Sequence, residues 1–275
     1  AYQLLVDAFG EVPYTKAFNL ENLTPKYDDG QVVYEGIIAE LTAALSKVDK
    51  ADAVAASYIF PDMSTADWIR FGNALKLKML TRMSGVKDVS ADIKAIIDAD
   101  NLPSADVALA GCWSNASGQA NPFYSEEASS WGRANHNVIG NLAIIATLQQ
   151  AGYTDGRLAA WYNTNGSGAY QGSISGDNLS TVDDPYATTD AWSTPILKYN
   201  TPVILLGKTE IEFFIAEYYA RKNDATNAAA HYQAAVDASF ETAGAVGSAA
   251  YIAKFPYAQA TWQESIGVAD RKSVV

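Results

Sequence analysis

The segment Glu210-Ile211-Glu212-Phe213-Phe214-Ile215-Ala216-Glu217-Tyr218-Tyr219-Ala220-Arg221-Lys222-Asn223-Asp224-Ala225-Thr226-Asn227-Ala228-Ala229-Ala230-His231-Tyr232-Gln233-Ala234-Ala235 carries small and aromatic residues at helical offsets on both sides of a turn. Ile215, Ala216 and Tyr219 precede Asn223-Asp224, and Ala228, Tyr232 and Ala235 follow it. Asn and Asp suit a reversal of the chain because their side chains bond nearby backbone. The small residues then let two antiparallel helices approach while an aromatic ring fills the gap between them. The segment therefore predicts a helical hairpin, and with it a helical protein.

Those offsets match the tetratricopeptide hairpin, although no second copy follows at the roughly 34-residue period of a repeat array. Upstream, Val33, Ile37, Leu41, Ala44, Leu45 and Val48 follow Asp28-Asp29-Gly30 at helical spacing, with acids placed to favour a helix N-terminus. Ser64-Thr65-Ala66-Asp67 reads as a capping box with Asp in place of Glu. Trp68, Phe71, Leu75, Met79 and Met83 form the stripe behind it, stopped at Gly85. Ser90 is expected to cap a shorter helix bearing Ile93, Ile96 and Ile97. A further helix is predicted over Val138 to Gln150, closed by Gly152. Each stripe is read as core, since an apolar helix face exists to be buried.

Residues 111 to 200 differ from both flanks. Gly, Asn, Ser and Asp crowd between isolated aromatics, as in Gly111-Cys112-Trp113-Ser114-Asn115, Trp161-Tyr162-Asn163-Thr164-Asn165-Gly166 and Ser175-Gly176-Asp177-Asn178. Trp113, Trp131, Trp161 and Trp192 fall here, out of 6 tryptophans in all. Long loops inside a compact domain are commonly functional, so a ligand is sought in this part. The whole of 1–275 is read as one domain: a helical part at 1–110, a loop-rich binding part at 111–200 and the helical hairpin part at 201–275.

Composition removes several functions. With 19 basic and 31 acidic side chains the net charge is −12, which repels nucleic acid. The richest apolar stretch, Ile211 to Ala220, is broken by Glu212 and Glu217, so no membrane span is expected. Cys112 is the only cysteine, which rules out an intrachain disulfide and a thiolate-based zinc site, and His136 and His231, the only histidines, lie 95 positions apart, which leaves little for a histidine metal site. No metal or other cofactor is expected. Asp177, Asp183, Asp184 and Asp190 lack the EF-hand order and read as a solvated loop. Gly172-Ser173-Ile174-Ser175-Gly176 has Ile174 where a nucleophile elbow needs serine. Glu126, Glu127, Asp177, Asp183 and Asp184 supply carboxylates for glycoside hydrolysis, but nothing in the sequence pairs any two of them. Charged residues are only 18% of the chain, so its polar surface leans on amides and hydroxyls that suit neutral ligands.

Several segments, in order, resemble the SusD/RagB-like family of Bacteroidetes outer-membrane nutrient-binding lipoproteins. Phe9-Gly10-Glu11-Val12-Pro13-Tyr14 is similar to that family's Phe-Gly-Asp-Val-Pro-Tyr. Pro25-Lys26-Tyr27-Asp28, with the Tyr34 to Leu45 helix, resembles its next helix. Trp68-Ile69-Arg70-Phe71-Gly72-Asn73-Ala74-Leu75-Lys76-Leu77 resembles its long helix. Asp155-Gly156-Arg157-Leu158 resembles Asp-Pro-Arg-Leu, with Gly156 in place of proline. Pro202 to Leu206, leading into Glu210 to Glu217, resembles its Pro-hydrophobic segment and following helix.

The resemblance implies an all-α fold in which tetratricopeptide-like helix pairs support a loop-rich ligand-binding face. It implies no catalysis. It places the native protein on the extracellular face of the outer membrane, held by a lipidated N-terminal cysteine and partnered with a SusC-like TonB-dependent transporter. That cysteine and the N-terminal helices have no counterpart between Ala1 and Val275, Trp262 to Val275 does not resemble the family's closing segment, and both ends read as trimmed. The expected ligand is an oligosaccharide, with a peptide-binding member or a tetratricopeptide-type adaptor as the alternative and a glycoside hydrolase behind both. Binding residues vary within the family, so they come from chemistry: Trp161, Tyr170 and Trp192 first, then Trp113, to cover the apolar face of a sugar ring. Asn163, Asn165, Asp177 and Asn178 are expected to bond its hydroxyls.

Overall fold

The computed structural model describes residues 1–48, 63–129, 138–150, 152–174 and 191–258. Its elements in order are α1 (Tyr2–Phe9), α2 (Gly30–Lys47), α3 (Thr65–Met83), α4 (Ser90–Asp98), β1 (Val107–Leu109), α5 (Pro122–Tyr124) with a wider turn over Ser125–Ser129, α6 (Leu142–Leu148), α7 (Gly156–Trp161), β2 (Val203–Leu206), α8 (Lys208–Arg221), α9 (Ala225–Ala243) and α10 (Ser248–Lys254). β1 and β2 form one two-stranded sheet. The expected helical architecture with little strand is what the structure has.

Among the described residues the chain divides into two compact units, one within 1–107 and 206–231, the other within 108–205 and 232–258. The hairpin part foreseen at 201–275 is thus shared between the units, and the division runs within α9.

In the first unit the helix starts follow local chemistry. Asp29 caps α2 by accepting from the Gln31 N–H at 2.8 Å. Asp28 instead takes the Tyr14 and Thr15 N–H groups at 2.9 and 2.7 Å, tying the 11–15 segment to the entry of the helix. The capping box of α3 forms as expected: Ser64 Oγ accepts from the Asp67 N–H at 3.2 Å, and the Asp67 carboxylate accepts from the Ser64 N–H at 3.0 Å. Ser90 does not cap α4. It is the first helical residue, and the Asp88 carboxylate accepts its N–H at 3.0 Å.

α3 is the axis of this unit, in contact with α2, α4 and α8. Neighbours on several sides explain why the buried positions, among them Ile69, Ala74, Leu77, Met79, Leu80 and Met83, exceed the single stripe expected. Trp68, Phe71 and Leu75 of that stripe are only half-buried. Lys78 on α3 pairs with Glu210 on α8 at 2.5 Å. The hairpin spacing is realised too. Ala216 and Ala228 are buried, Asn223 adopts φ 58° at the turn, and Tyr219 stacks on His231 at 5.6 Å between centroids, whereas Tyr232 and the buried Ala235 belong to the second unit, where the Tyr232 hydroxyl donates to Phe255 O at 2.8 Å. His231 Nδ1 lies 2.7 Å from Glu212 Oε2, a packing arrangement that spans α8 and α9.

Tyr34 links α2 to its surroundings by donating to Asp7 at 2.5 Å and accepting from Arg82 Nε at 3.0 Å. Burial first, then the Asp7 carboxylate, pushes its phenol from 10.0 up to about 12. The fold therefore favours the neutral phenol. That contribution is whole below pH 10 and is lost as pH rises towards 12, because the unfolded chain ionises first. Tyr34→Phe is expected to destabilise by about 1 to 3 kcal/mol at pH 8, the cost of losing hydrogen bonds to charged groups. It should also make the fall of the urea midpoint between pH 10 and 12 shallower. An unchanged slope would show that Tyr34 does not set it.

Candidate functional site

The second unit gathers the loop residues around a small apolar centre. Ile145 and Leu148 of α6 and Leu158 of α7 are buried together, with Tyr162 and Tyr170 packed on them. Three stretches of backbone are braided above this centre. The Gly140 N–H donates to Ser193 O at 2.7 Å, Ser173 N–H to Gly140 O at 2.8 Å, and Ser193 N–H to Gln171 O at 2.8 Å. Asn163 N–H to Thr194 O and Ile196 N–H to Trp161 O, each 2.8 Å, complete the weave. Ser193 is fully buried, and its Oγ accepts from the Gln171 N–H at 3.0 Å. Gly172 makes the close approach possible, since a Cβ there would sit 2.5 Å from Asn141 C and Leu142 N.

This braid also explains why α6 is shorter than the helix expected over Val138 to Gln150. Gly140 has given both backbone groups to Ser193 and Ser173, so the helix starts only after Asn141, whose side chain accepts from the Ala143 N–H at 2.8 Å. It ends before Gly152, which adopts φ 75°.

α7 presents Trp161. Asp155 caps this helix by accepting from the Arg157 N–H at 2.9 Å and also holds the Arg157 guanidinium through Nε at 3.0 Å and Nη2 at 2.7 Å. The carboxylate is buried and the guanidinium nearly so. Burial works against the guanidinium charge, but the Asp155 carboxylate holds its pKa above the ordinary value. Nη1 donates to Ser239 Oγ at 2.7 Å, and Cζ lies over the rings of Phe240, Tyr251 and Trp161 at 4.5, 4.9 and 5.6 Å. Gly156 allows the 244–247 loop to come close, as a Cβ at this position would lie 2.2 Å from Val246 O.

The other expected site residues fall as follows. Trp161 is 38% exposed, the most open tryptophan among the described residues. Asn163 is exposed, with Nδ2 3.3 Å from Thr194 Oγ1. Tyr170 is half-buried on the Ile145 centre. Trp113 and Trp192 are half-buried, and the Nε1 of each is buried without a hydrogen-bond partner among the described residues. Their rings serve partly as anchors under the loops. Asn165 is taken up by its own loop: Oδ1 accepts from Ser167 N–H, Ser167 Oγ and Ala169 N–H at 3.1, 2.8 and 2.9 Å, and Nδ2 donates to Ala191 O at 3.2 Å. These bonds brace the loop around Asn165. Asp177 and Asn178 lie outside the described residues, as do Trp131, His136, Asp183, Asp184 and Asp190.

Glu127 is buried, and its Oε1 accepts from the Val138 N–H at 2.9 Å, which commits it to backbone. Among the described residues no three His, Cys, Asp or Glu side chains gather as a metal site, and no helix is long and apolar enough to cross a membrane. A cleft in the first unit, lined in part by Thr81, Ser84, Ser90, Glu217 and Arg221, contains none of the expected binding residues. Sequence reasoning missed Asp155, Arg157 and Ser193, which hold the loops rather than face outwards. The Asp-Gly-Arg-Leu segment was the signal for two of them.

A SusD-like family model, described as starch-binding and associating with the outer membrane, matches residues 1–271. No curated protein matches the sequence. Among solved structures, a SusD homologue from Bacteroides uniformis is similar at 23% identity and TM-score 0.79, with 92% of this chain and 53% of that chain covered. An outer-membrane protein from Bacteroides vulgatus, assigned to nutrient binding, is 24% identical at TM-score 0.70 over 96% of this chain and 61% of that one. A chitin-binding SusD homologue from Flavobacterium johnsoniae is 24% identical at TM-score 0.69 over 91% and 52%. The chain thus spans little more than half the length of the structures it matches, and the likeness is one of fold.

Proposed function

The chain belongs to the SusD-like family, described as starch-binding and associating with the outer membrane, and on that premise we propose that it is a non-catalytic glycan-binding protein of the cell surface. In this reading it captures an oligosaccharide on the braided loops of the second unit and delivers it to a SusC-like TonB-dependent transporter. A lipid anchor outside Ala1 to Val275 holds it to the outer membrane in the same reading.

Trp161 carries the proposal. Its indole is 38% exposed at the end of α7, beside the exposed Asn163. A sugar ring offers an apolar C–H face and a polar rim, and a flat aromatic covers that face with large area and little loss of rotamer freedom. Tyr170, Trp192 and Trp113 extend the aromatic character of the loops, and Asp177 and Asn178 join Asn163 as the proposed hydrogen-bonding groups. The family description names starch and the Flavobacterium homologue binds chitin. Both are neutral polysaccharides, which fits a chain with few charged side chains.

Titration calorimetry with maltoheptaose and chitohexaose tests this. The native chain is expected to bind at least one of them and to release no reducing sugar from either. Trp161→Ala is expected to weaken binding tenfold or more, where each tenfold is about 1.4 kcal/mol, with an unchanged circular dichroism spectrum. Trp192→Ala should weaken it less, because that ring is partly an anchor. Full affinity in both variants would move the site off these rings. Binding of peptides with no glycan response would move the protein to the peptide-capturing branch.

A further inference from the structure

We propose that Arg157 is a positioning residue for Trp161, fixing which face of the indole is available to a ligand and tying that ring to the returning α9–α10 segment. The inference rests on the glycan reading only for its consequence in binding, and its geometric content stands apart from it. Arg157 and Trp161 are four residues apart at the two ends of α7, and the guanidinium lies over the indole at 5.6 Å. A cation is drawn to the face of an aromatic ring by the ring's quadrupole, and most strongly to indole. A cation on one face leaves only the other for stacking.

Arg157 is itself held from three directions. Asp155 grips Nε and Nη2, Ser239 of α9 takes Nη1, and the rings of Phe240 and Tyr251 lie beneath the guanidinium at 4.5 and 4.9 Å. With a side chain only 12% exposed and its donors directed inwards, it is not built to touch a ligand. The backbone of Trp161 is pinned separately, as its carbonyl accepts from the Ile196 N–H at 2.8 Å. The pinned carbonyl leaves the side-chain torsions of the indole as its main freedom, and Arg157 restricts those. A planar guanidinium can bridge Asp155, Ser239 and a ring face together, whereas a lysine ammonium at the same site cannot span them.

The experiment uses the whole chain labelled with 5-fluorotryptophan, with Trp161→Phe to assign the Trp161 fluorine resonance. Arg157→Lys, which keeps the charge, is expected to shift or broaden that resonance and to leave the circular dichroism spectrum unchanged. Ser239→Ala, which leaves the ion pair intact but frees Nη1, is expected to produce a smaller shift and serves as the second variant should Arg157→Lys fold poorly. Affinity for whichever of maltoheptaose and chitohexaose the native chain binds is expected to fall about threefold to tenfold in Arg157→Lys, while Trp161→Ala/Arg157→Lys should bind no more weakly than Trp161→Ala. A Trp161 resonance that stays in place in both variants overturns the positioning role. So does a full Arg157→Lys loss that persists in the Trp161→Ala background. Failure of the native chain to bind either oligosaccharide removes the glycan reading, while the fluorine spectra still decide whether Arg157 orients the ring.

Discussion

Asp155→Ala is expected to destabilise the protein by about 3 to 5 kcal/mol, the usual cost of removing one partner from a buried ion pair. The carboxylate is only 2% exposed and makes three bonds to one residue: the Arg157 N–H at the start of α7, and Nε and Nη2 of its side chain. Alanine removes the helix cap and leaves a guanidinium in a nearly dry site without its counter-ion, with only the neutral hydroxyls of Ser239 and Tyr251 beside it among the described residues. The rings of Phe240, Tyr251 and Trp161 soften this loss, since cation–π contacts contribute about 0.5 to 2 kcal/mol each. They do not replace a counter-ion. The paired change Asp155→Leu with Arg157→Met should recover much of the stability, because an apolar pair of similar volume avoids the desolvation cost of both charges. Urea unfolding at pH 7 measures both variants. A loss below about 1 kcal/mol for Asp155→Ala, at an unchanged denaturant slope, would mean that the ion pair is worth no more than a surface pair.

Local signals in the sequence reached far into the fold, and they failed where long-range backbone pairing took over. The Ser64–Asp67 box depends only on residues three positions apart and formed as read, and of the two acids expected to favour the start of α2, Asp29 caps it. The small positions Ala216 and Ala228 marked the two sides of the turn at Asn223, and both are buried. Gly140, by contrast, lies in a helical pattern but is claimed by Ser173 and Ser193, partners far along the chain that no periodicity reveals, while the Val138 N–H goes to Glu127. α3 misled in a related way, since its one apolar stripe gave no hint that α2, α4 and α8 would all pack against it. In the candidate site the aromatic content was legible and the roles of the amides were not. Asn165 and Asn163 are the same residue type two positions apart, yet one is consumed by the turn at Ser167 and Ala169 while the other is exposed. Gly156 is the instructive departure. Where the family pattern has proline this chain has glycine, and the carbonyl of Val246 occupies the place of the missing side chain.

Leu158→Ala is expected to cost about 2 to 5 kcal/mol, the range for emptying a buried leucine site. Leu158 is fully buried against Ile145 and Leu148, and the centre they form is small, so one truncation removes a large share of its apolar contact. Few other side chains can close the cavity. Tyr162 and Tyr170 are the partly buried rings on this cluster, and burial already holds the Tyr162 phenol above its ordinary pKa. Letting either ring sink inwards would desolvate its hydroxyl further, which works against relaxation. The loss also reaches the proposed platform, because α7 is only 6 residues long and buries just this one side chain. A helix so short is held by tertiary contact rather than by its own propensity. Leu158→Ala is therefore expected to loosen α7 and lower both stability and glycan affinity, whereas Trp161→Ala should lower affinity alone. Hydrogen exchange of the Leu158 and Tyr162 amides, whose carbonyl partners are Asp155 and Leu158, reads the local effect directly. Native protection of both amides in Leu158→Ala would show that the braided backbone, and not this side chain, holds α7 in place.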